Sequence, residues 1–183
     1  MNYKIHTPLT DNIVAKLKAG DTTKITGTLY TARDQAHQRL VELIQKGQPL
    51  PFGLRGQIIF YAGPAPTPPN KVMGSVGPTT SSRMDLFTPI LLAYGLKGMI
   101  GKGPRSPEVK AALAKYNAVY FAATGGVAAL LSSYIKKSEL LAYPDLGPEA
   151  IYKLEVEDFP AVVAIDAWGG DLYEQNRELY KEI

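Results

Sequence analysis

Residues 61–70 read YAGPAPTPPN, with four prolines and a glycine in ten positions. Proline has a fixed φ and no amide hydrogen, so this stretch must run as extended backbone and turns. Apolar, strand-like segments flank it. The run is therefore an ordered connection inside a folded unit and not a boundary between domains. It continues through KVMGSVGPTTSSRMD to residue 85, too polar for a core and too patterned for a slack linker.

The flanking sequence alternates between two periodicities. TDNIVAKLKAG (10–20) reads as a short helix capped by Thr10 and stopped by Gly20. TTKITGTLY (22–30) has the β-branched alternation of a strand. In TARDQAHQRLVELIQKG (31–47), Thr31 is the expected N-cap, with Asp34 three residues on as in a capping box. Ala36, Leu40, Leu43 and Ile44 share one face, and Gly47 is the stop. RGQIIFYA (55–62) is a second strand. FTPILLAYG (87–95) places Thr88 at the N-cap and Pro89 at the first helical position. LKGMIGKG (96–103) is a short apolar segment, and SPEVKAALAKYN (106–117) is a helix capped by Ser106. AVYFAATGG (118–126) is a buried strand running into a glycine turn, and VAALLSSYIKK (127–137) is a small-residue helix. ELLAY, IYKLEVEDF and AVVAIDAWG supply further pieces, with Asp166 and Trp168 anchoring the C-terminal segment, and residues 171–183 form a terminal helix. The pattern predicts a mixed α/β fold in a single domain, 1–183.

Composition removes whole classes of function. No cysteine is present, so disulfides, thiol nucleophiles and cysteine-held zinc or iron–sulfur sites are excluded for this chain alone. His6 and His37 are the two histidines, too few for a His-rich metal centre. The net charge of +3 comes from interspersed charges without a basic stripe, so no nucleic-acid partner is expected. No apolar segment has the length of a membrane helix, and the first residues lack the apolar core of a signal peptide. The expected address is the cytoplasm.

GSVGPTTSS (74–82) is suited to face an anion with backbone amides and hydroxyls. It lacks the lysine of a Walker loop, which argues against nucleotide binding. Three cations stand at the mouths of elements: Arg33 in the first helical turn, where it opposes the macrodipole, Arg83 closing the loop, and Lys102 between two glycines. Together they suit a small dianionic substrate, because guanidinium forks match carboxylates. Thr79 and Thr80 read as turn residues unless charge and burial activate a hydroxyl. His37 reads as a structural hydrogen-bonding residue and Asp34 as a helix cap.

The segments ITGTLYTARDQAHQRL, YAGPAPTPPNKVMGSVGPTTSSRMD, LKGMIGKG, AVYFAATGG and LEVEDFPAVVAIDAWGGDLY, in this order, resemble one family. It is the β subunit, or C-terminal domain, of class I iron–sulfur hydro-lyases, namely fumarate hydratases and L(+)-tartrate dehydratases. The resemblance implies a swivelling β/β/α three-layer domain that closes over the substrate. It also implies a partner α subunit, in an α2β2 assembly, whose cysteines hold a [4Fe–4S] cluster. One iron of that cluster acts as Lewis acid, and water is added to or lost from a double bond beside a carboxylate. On this chain the resemblance implies that Arg33, Arg83 and Lys102 bind the dicarboxylate and that Thr79 is the base. Thr79 is preferred to Thr80 by motif position alone. Fumarate and tartrate stay open as substrates, and the alternative from the residues themselves is a non-catalytic module binding a small anion or phosphate.

Overall fold

One strand, β7 (Ile151–Ile165), organises the sheet. The computed structural model describes residues 1–123 and 126–179, and the side chains of 176–179 are outside that description. Five strands run parallel: β1 (Asn2–His6), β2 (Thr22–Thr31), β3 (Ile58–Phe60), β4 (Gly98–Gly101) and β5 (Val119–Ala122). β7 pairs antiparallel with β5, with β2 and with β6 (Ile135–Ala142). Because β7 meets both β2 and β5, the strands β2–β3–β4–β5–β7 close into a small barrel-like ring, with β1 and β6 paired to its outer members. A strand of fifteen residues must bend to do this. It does so at the β2 register shift between Ile25 and Gly27, where Asp158 takes a positive φ and its amide bonds to Thr26 Oγ1.

Alternation along the strands sorts the apolar residues into two cores. Ile58, Phe60, Ile100, Val119, Phe121, Leu154 and Phe159 belong to one cluster, to which the helix α1 (Asp11–Val14) and the helix α5 (Ala128–Ser133) add Val14 and Leu131. Ile59, Tyr61, Met99 and Tyr120 point the other way, against α2 (Asp34–Gln45), α3 (Thr88–Ala93) and α4 (Pro107–Lys115). Burial on both faces explains the continuous apolar runs of β3 to β5. Each fully buried side chain of this size contributes about 1.5–3 kcal/mol.

The structure corrects several boundaries. Helix α1 is a single turn, although Thr10 does cap it by accepting from the Ile13 amide. Thr31 does not cap α2. It is the last residue of β2, and its hydroxyl bonds across to β7 at the Tyr152 amide. The N-cap position falls on Arg33, which makes no side-chain cap, and the Gln35 amide is met instead by Glu149. On α2 it is Val41, and not Leu43, that is buried beside Ala36, Leu40 and Ile44. Thr88 is the first residue of α3 and not its cap, since its hydroxyl donates back to the Met84 carbonyl. Ser106 caps α4 as expected, by accepting from Val109. The small-residue helix ends at Ser133, where β6 takes over, and the two segments IYKLEVEDF and AVVAIDAWG are one strand.

β1 has one buried residue, Ile5, and so carries no apolar signal in the sequence. At the other end, Asp166 accepts from the amides of Ala19, Trp168 and Gly170, and the Trp168 indole donates to Ala15. The terminal helix is α6 (Leu172–Leu179). Residues 180–183, expected to continue the terminal helix, and residues 124–125 of the expected glycine turn lie outside the described residues.

Candidate functional site

All of β2 to β5 point their carboxyl ends the same way, and the chain leaves each of them at one rim. In α/β folds with parallel strands, open or closed, ligands bind at that edge. Arg33 follows β2, Tyr61 to Gly63 follow β3, and Lys102 follows β4. The Pro-rich excursion returns to the same rim. Pro78 pairs with Ala62, the Thr79 amide donates to the Tyr61 carbonyl at 2.7 Å, and Thr80 bridges to Lys102. The four residues singled out in the sequence therefore come from three separate connections to one end of the ring.

Arg33 sits in extended backbone before α2, with its guanidinium at the helix's positive end. Asp34 in the first helical position offsets that charge. The Arg33 side chain is three-quarters buried, 3.4 Å from Glu149 Oε1 and 3.9 Å from Asp34 Oδ2. It packs on Gly63, where a Cβ would come within 3.2 Å of Arg33 Cδ and Nη1, so the glycine leaves room for the arginine. Arg83 lies on a 3₁₀ turn, Ser81–Met84, and its Nε donates to Asp34 Oδ1 at 2.8 Å. One carboxylate thus lies between two arginines. Asp34, expected as a cap, is an ion-pair bridge. Lys102 is exposed and makes no ion pair among the described residues. Thr79 is half-buried and Thr80 exposed.

Beneath the rim is a buried polar layer of which His37 alone was expected from the sequence. Ser81 Oγ accepts from the Lys102 amide at 3.0 Å and from the Tyr120 hydroxyl at 2.9 Å, while the Ser81 amide donates to the Lys102 carbonyl. Arg105 donates to Asp85, Thr88 and Tyr61. Burial pushes the Tyr120 phenol far up against the opposing Ser81 hydrogen bond, so it stays a neutral donor. His37 is fully buried, with Nδ1 2.8 Å from the Arg33 carbonyl, so Nδ1 carries the hydrogen. Burial lowers its pKa to about 4, with Arg105 adding to the effect and the Arg33 carbonyl and Asp34 opposing it. The ring is neutral near pH 7, in keeping with a structural role. Arg105 stands three residues after Lys102 in GKGPRSPE, and that proximity was the one available signal; Glu149 had none.

None of the 183 residues is a cysteine, and among the described residues no three His, Cys, Asp or Glu side chains converge to hold a metal. This chain's donor set does not fit an iron–sulfur cluster. What it offers is cations, hydroxyls and amides at one rim. No helix among the described residues is long and apolar enough to cross a membrane.

The family model described as "Fumarase C-terminus" matches residues 1–176. The chain belongs to the fumarase C-terminus family. The anaerobic class I fumarate hydratase of Escherichia coli K12 is 46% identical over 153 residues, 82% of this chain and 28% of that protein. The chain thus spans little more than a quarter of that hydratase. Two relatives are matched over nearly their whole length. The L(+)-tartrate dehydratase subunit beta of Escherichia coli K12 is 35% identical, covering 100% of this chain and 92% of its own. A Methanocaldococcus jannaschii protein named for the same subunit is 40% identical, covering 96% and 93%. Fumarase C-terminus sequences thus occur both as part of a longer polypeptide and as a chain of this size.

Proposed function

We propose that this chain is the β subunit of an iron–sulfur hydro-lyase that interconverts fumarate and malate, or dehydrates L-tartrate, together with a cysteine-bearing α subunit. The observation that carries the reading is the gathering of Arg33, Thr79, Arg83 and Lys102 at one rim, with Asp34 joining the two arginines. The names of the relatives support the reaction class and favour an enzyme over an anion-binding module.

In this reading Arg33, Arg83 and Lys102 hold the two carboxylates. In the dehydration direction Thr79 Oγ1 takes the proton from the carbon beside one carboxylate. The bonding pair left behind becomes the carbon–carbon double bond as hydroxide departs from the neighbouring carbon. A threonine hydroxyl is a weak base, and nearby cations favour its alkoxide. The same cations stabilise the charge that builds on the substrate carboxylate. A [4Fe–4S] cluster would supply Lewis acidity toward the substrate hydroxyl, and because this chain has no cysteine to hold one, that half of the site is assigned to the α subunit. An α2β2 assembly, a cytoplasmic address and a swivelling β/β/α unit closing over the substrate belong to the same proposal. For the last, the support is the helix layer α2, α3 and α4 packed on one side of the closed ring.

Reconstitution tests it. The purified chain alone turns over neither substrate, and an anaerobically prepared α partner restores turnover of fumarate or L-tartrate. Turnover by the chain alone, or none by the complex, overturns the reading.

A further inference from the structure

We infer that Arg105 is the positioning residue of this site, fixing Arg83 relative to Lys102; the inference rests on the proposed carboxylate-binding role of those two cations. Lys102 is exposed and Arg83 half-exposed, and the Arg83 side chain bonds to Asp34 and not towards Lys102, so the two side chains do not set their own spacing. What locates them is the backbone between. The 3₁₀ turn that carries Arg83 begins at Ser81, which is bonded to Lys102 through both its amide and its hydroxyl. The turn is followed at once by Asp85, whose Oδ1 accepts from Arg105 Nε at 2.6 Å and whose Oδ2 accepts from the Ser106 amide at 2.7 Å. The turn is thus clamped to the exit of β4 at both ends, with Arg83 in the middle.

Arg105 is built for that task and not for contact with substrate. Its side chain is 0% exposed, and its guanidinium carbon lies 4.9 Å from the centre of the Tyr120 ring and 5.3 Å from that of Tyr61. Nη2 donates to Thr88 Oγ1 at 2.8 Å and to the Tyr61 hydroxyl at 3.4 Å. The planar fork therefore joins Tyr61 just after β3, Asp85 just after the 3₁₀ turn, and Thr88 at the start of α3. An ammonium keeps the charge but cannot hold these directions at once.

The test is steady-state kinetics of the α–β complex with fumarate and with L-tartrate, using Arg105→Lys, Arg83→Ala and their combination. With whichever substrate turns over, R105K raises KM about tenfold while kcat falls less than about threefold, and on the R83A background it changes KM by less than about twofold. Equal effects on both backgrounds, or a KM that does not move, overturn the inference. Should R105K fail to assemble, Thr88→Val removes the nearer of the two Nη2 acceptors, together with the Thr88 bond to the Met84 carbonyl, and carries the same comparison, with KM up about twofold and the same loss of effect beside R83A. An Arg83→Ala complex with wild-type KM refutes the functional reading and this inference with it. A defective R83A beside a wild-type R105K refutes this inference alone.

Discussion

Arg83 Nε donates to Asp34 Oδ1 at 2.8 Å, and the other oxygen of that carboxylate lies 3.9 Å from Arg33 Nε. An acid from the first turn of α2 therefore spaces two guanidinium groups that reach the rim from different connections. The pair also joins α2 to the 3₁₀ turn. Because Arg83 is half-exposed, solvent screens most of what the pair adds to stability. Its value lies in direction: a guanidinium already oriented loses less freedom when a carboxylate arrives.

Asp34→Asn should separate these effects. The amide keeps an acceptor oxygen but no charge, so both arginines lose their shared anchor. We expect stability to change by less than about 1 kcal/mol in urea unfolding, as for other partly exposed ion pairs. KM for the dicarboxylate should rise several-fold in the complex. Unchanged KM would mean that substrate orients the arginines unaided.

Thr79 and Thr80 are adjacent but differently placed. The Thr79 amide is bonded to Tyr61 and its side chain is half-buried, whereas Thr80 is exposed. Thr79→Ala should lower kcat by about 10²–10⁴, the range for loss of a positioned base, with assembly and KM nearly unchanged. Thr80→Ala should stay near wild type. The reverse order would move the proton transfer to Thr80.

Local signals made most elements legible: Ser106 before Pro107, the face of α2, the apolar runs of β3 to β5. What they could not convey was closure. β7 reads as two segments because a bulge at Asp158 interrupts its alternation, and nothing local says that one strand will pair with both β2 and β5. The site divides the same way. Arg33, Arg83 and Lys102 stood out because each is a cation at the mouth of an element, Arg33 alone against the helix macrodipole. Glu149 supplies the acceptor for Gln35 from 114 residues away, so no local pattern near Thr31 points to it.

Gly101, the last residue of β4, lies directly under Ser81. A Cβ there would collide with Ser81 Oγ and reach 3.0 Å from Tyr61 Cδ2. Gly101→Ala should therefore destabilise by about 1–3 kcal/mol, the usual cost of overpacking. It should also depress activity by displacing the turn that carries Arg83. Adding Ser81→Ala removes the colliding oxygen, so the double variant should be more stable than the sum of the two changes implies. Simple additivity in urea unfolding would show that the backbone absorbs the methyl elsewhere.

His37 makes stability depend on pH in a defined direction. Its folded pKa is lowered from 6.5 to about 4, chiefly by burial, so the unfolded chain takes up a proton first as pH falls. Below 6.5 the unfolded state then binds more protons than the folded one, and stability rises with pH across that window. The contribution is whole above pH 6.5 and is lost progressively towards pH 4, with a total of about 3 kcal/mol. The groups acting on the ring are the Arg33 carbonyl and Asp34, which favour the charged form, and Arg105, which opposes it. His37→Phe keeps an aromatic ring beside Tyr61 and Phe87 and deletes the titration. The Arg33 carbonyl still receives the residue 37 amide, bonded at 2.9 Å, so the helix start keeps that bond. Urea unfolding of both proteins between pH 7 and pH 4.5 should give a shallower decline for the variant. Parallel declines would assign the acid sensitivity to the carboxylates instead.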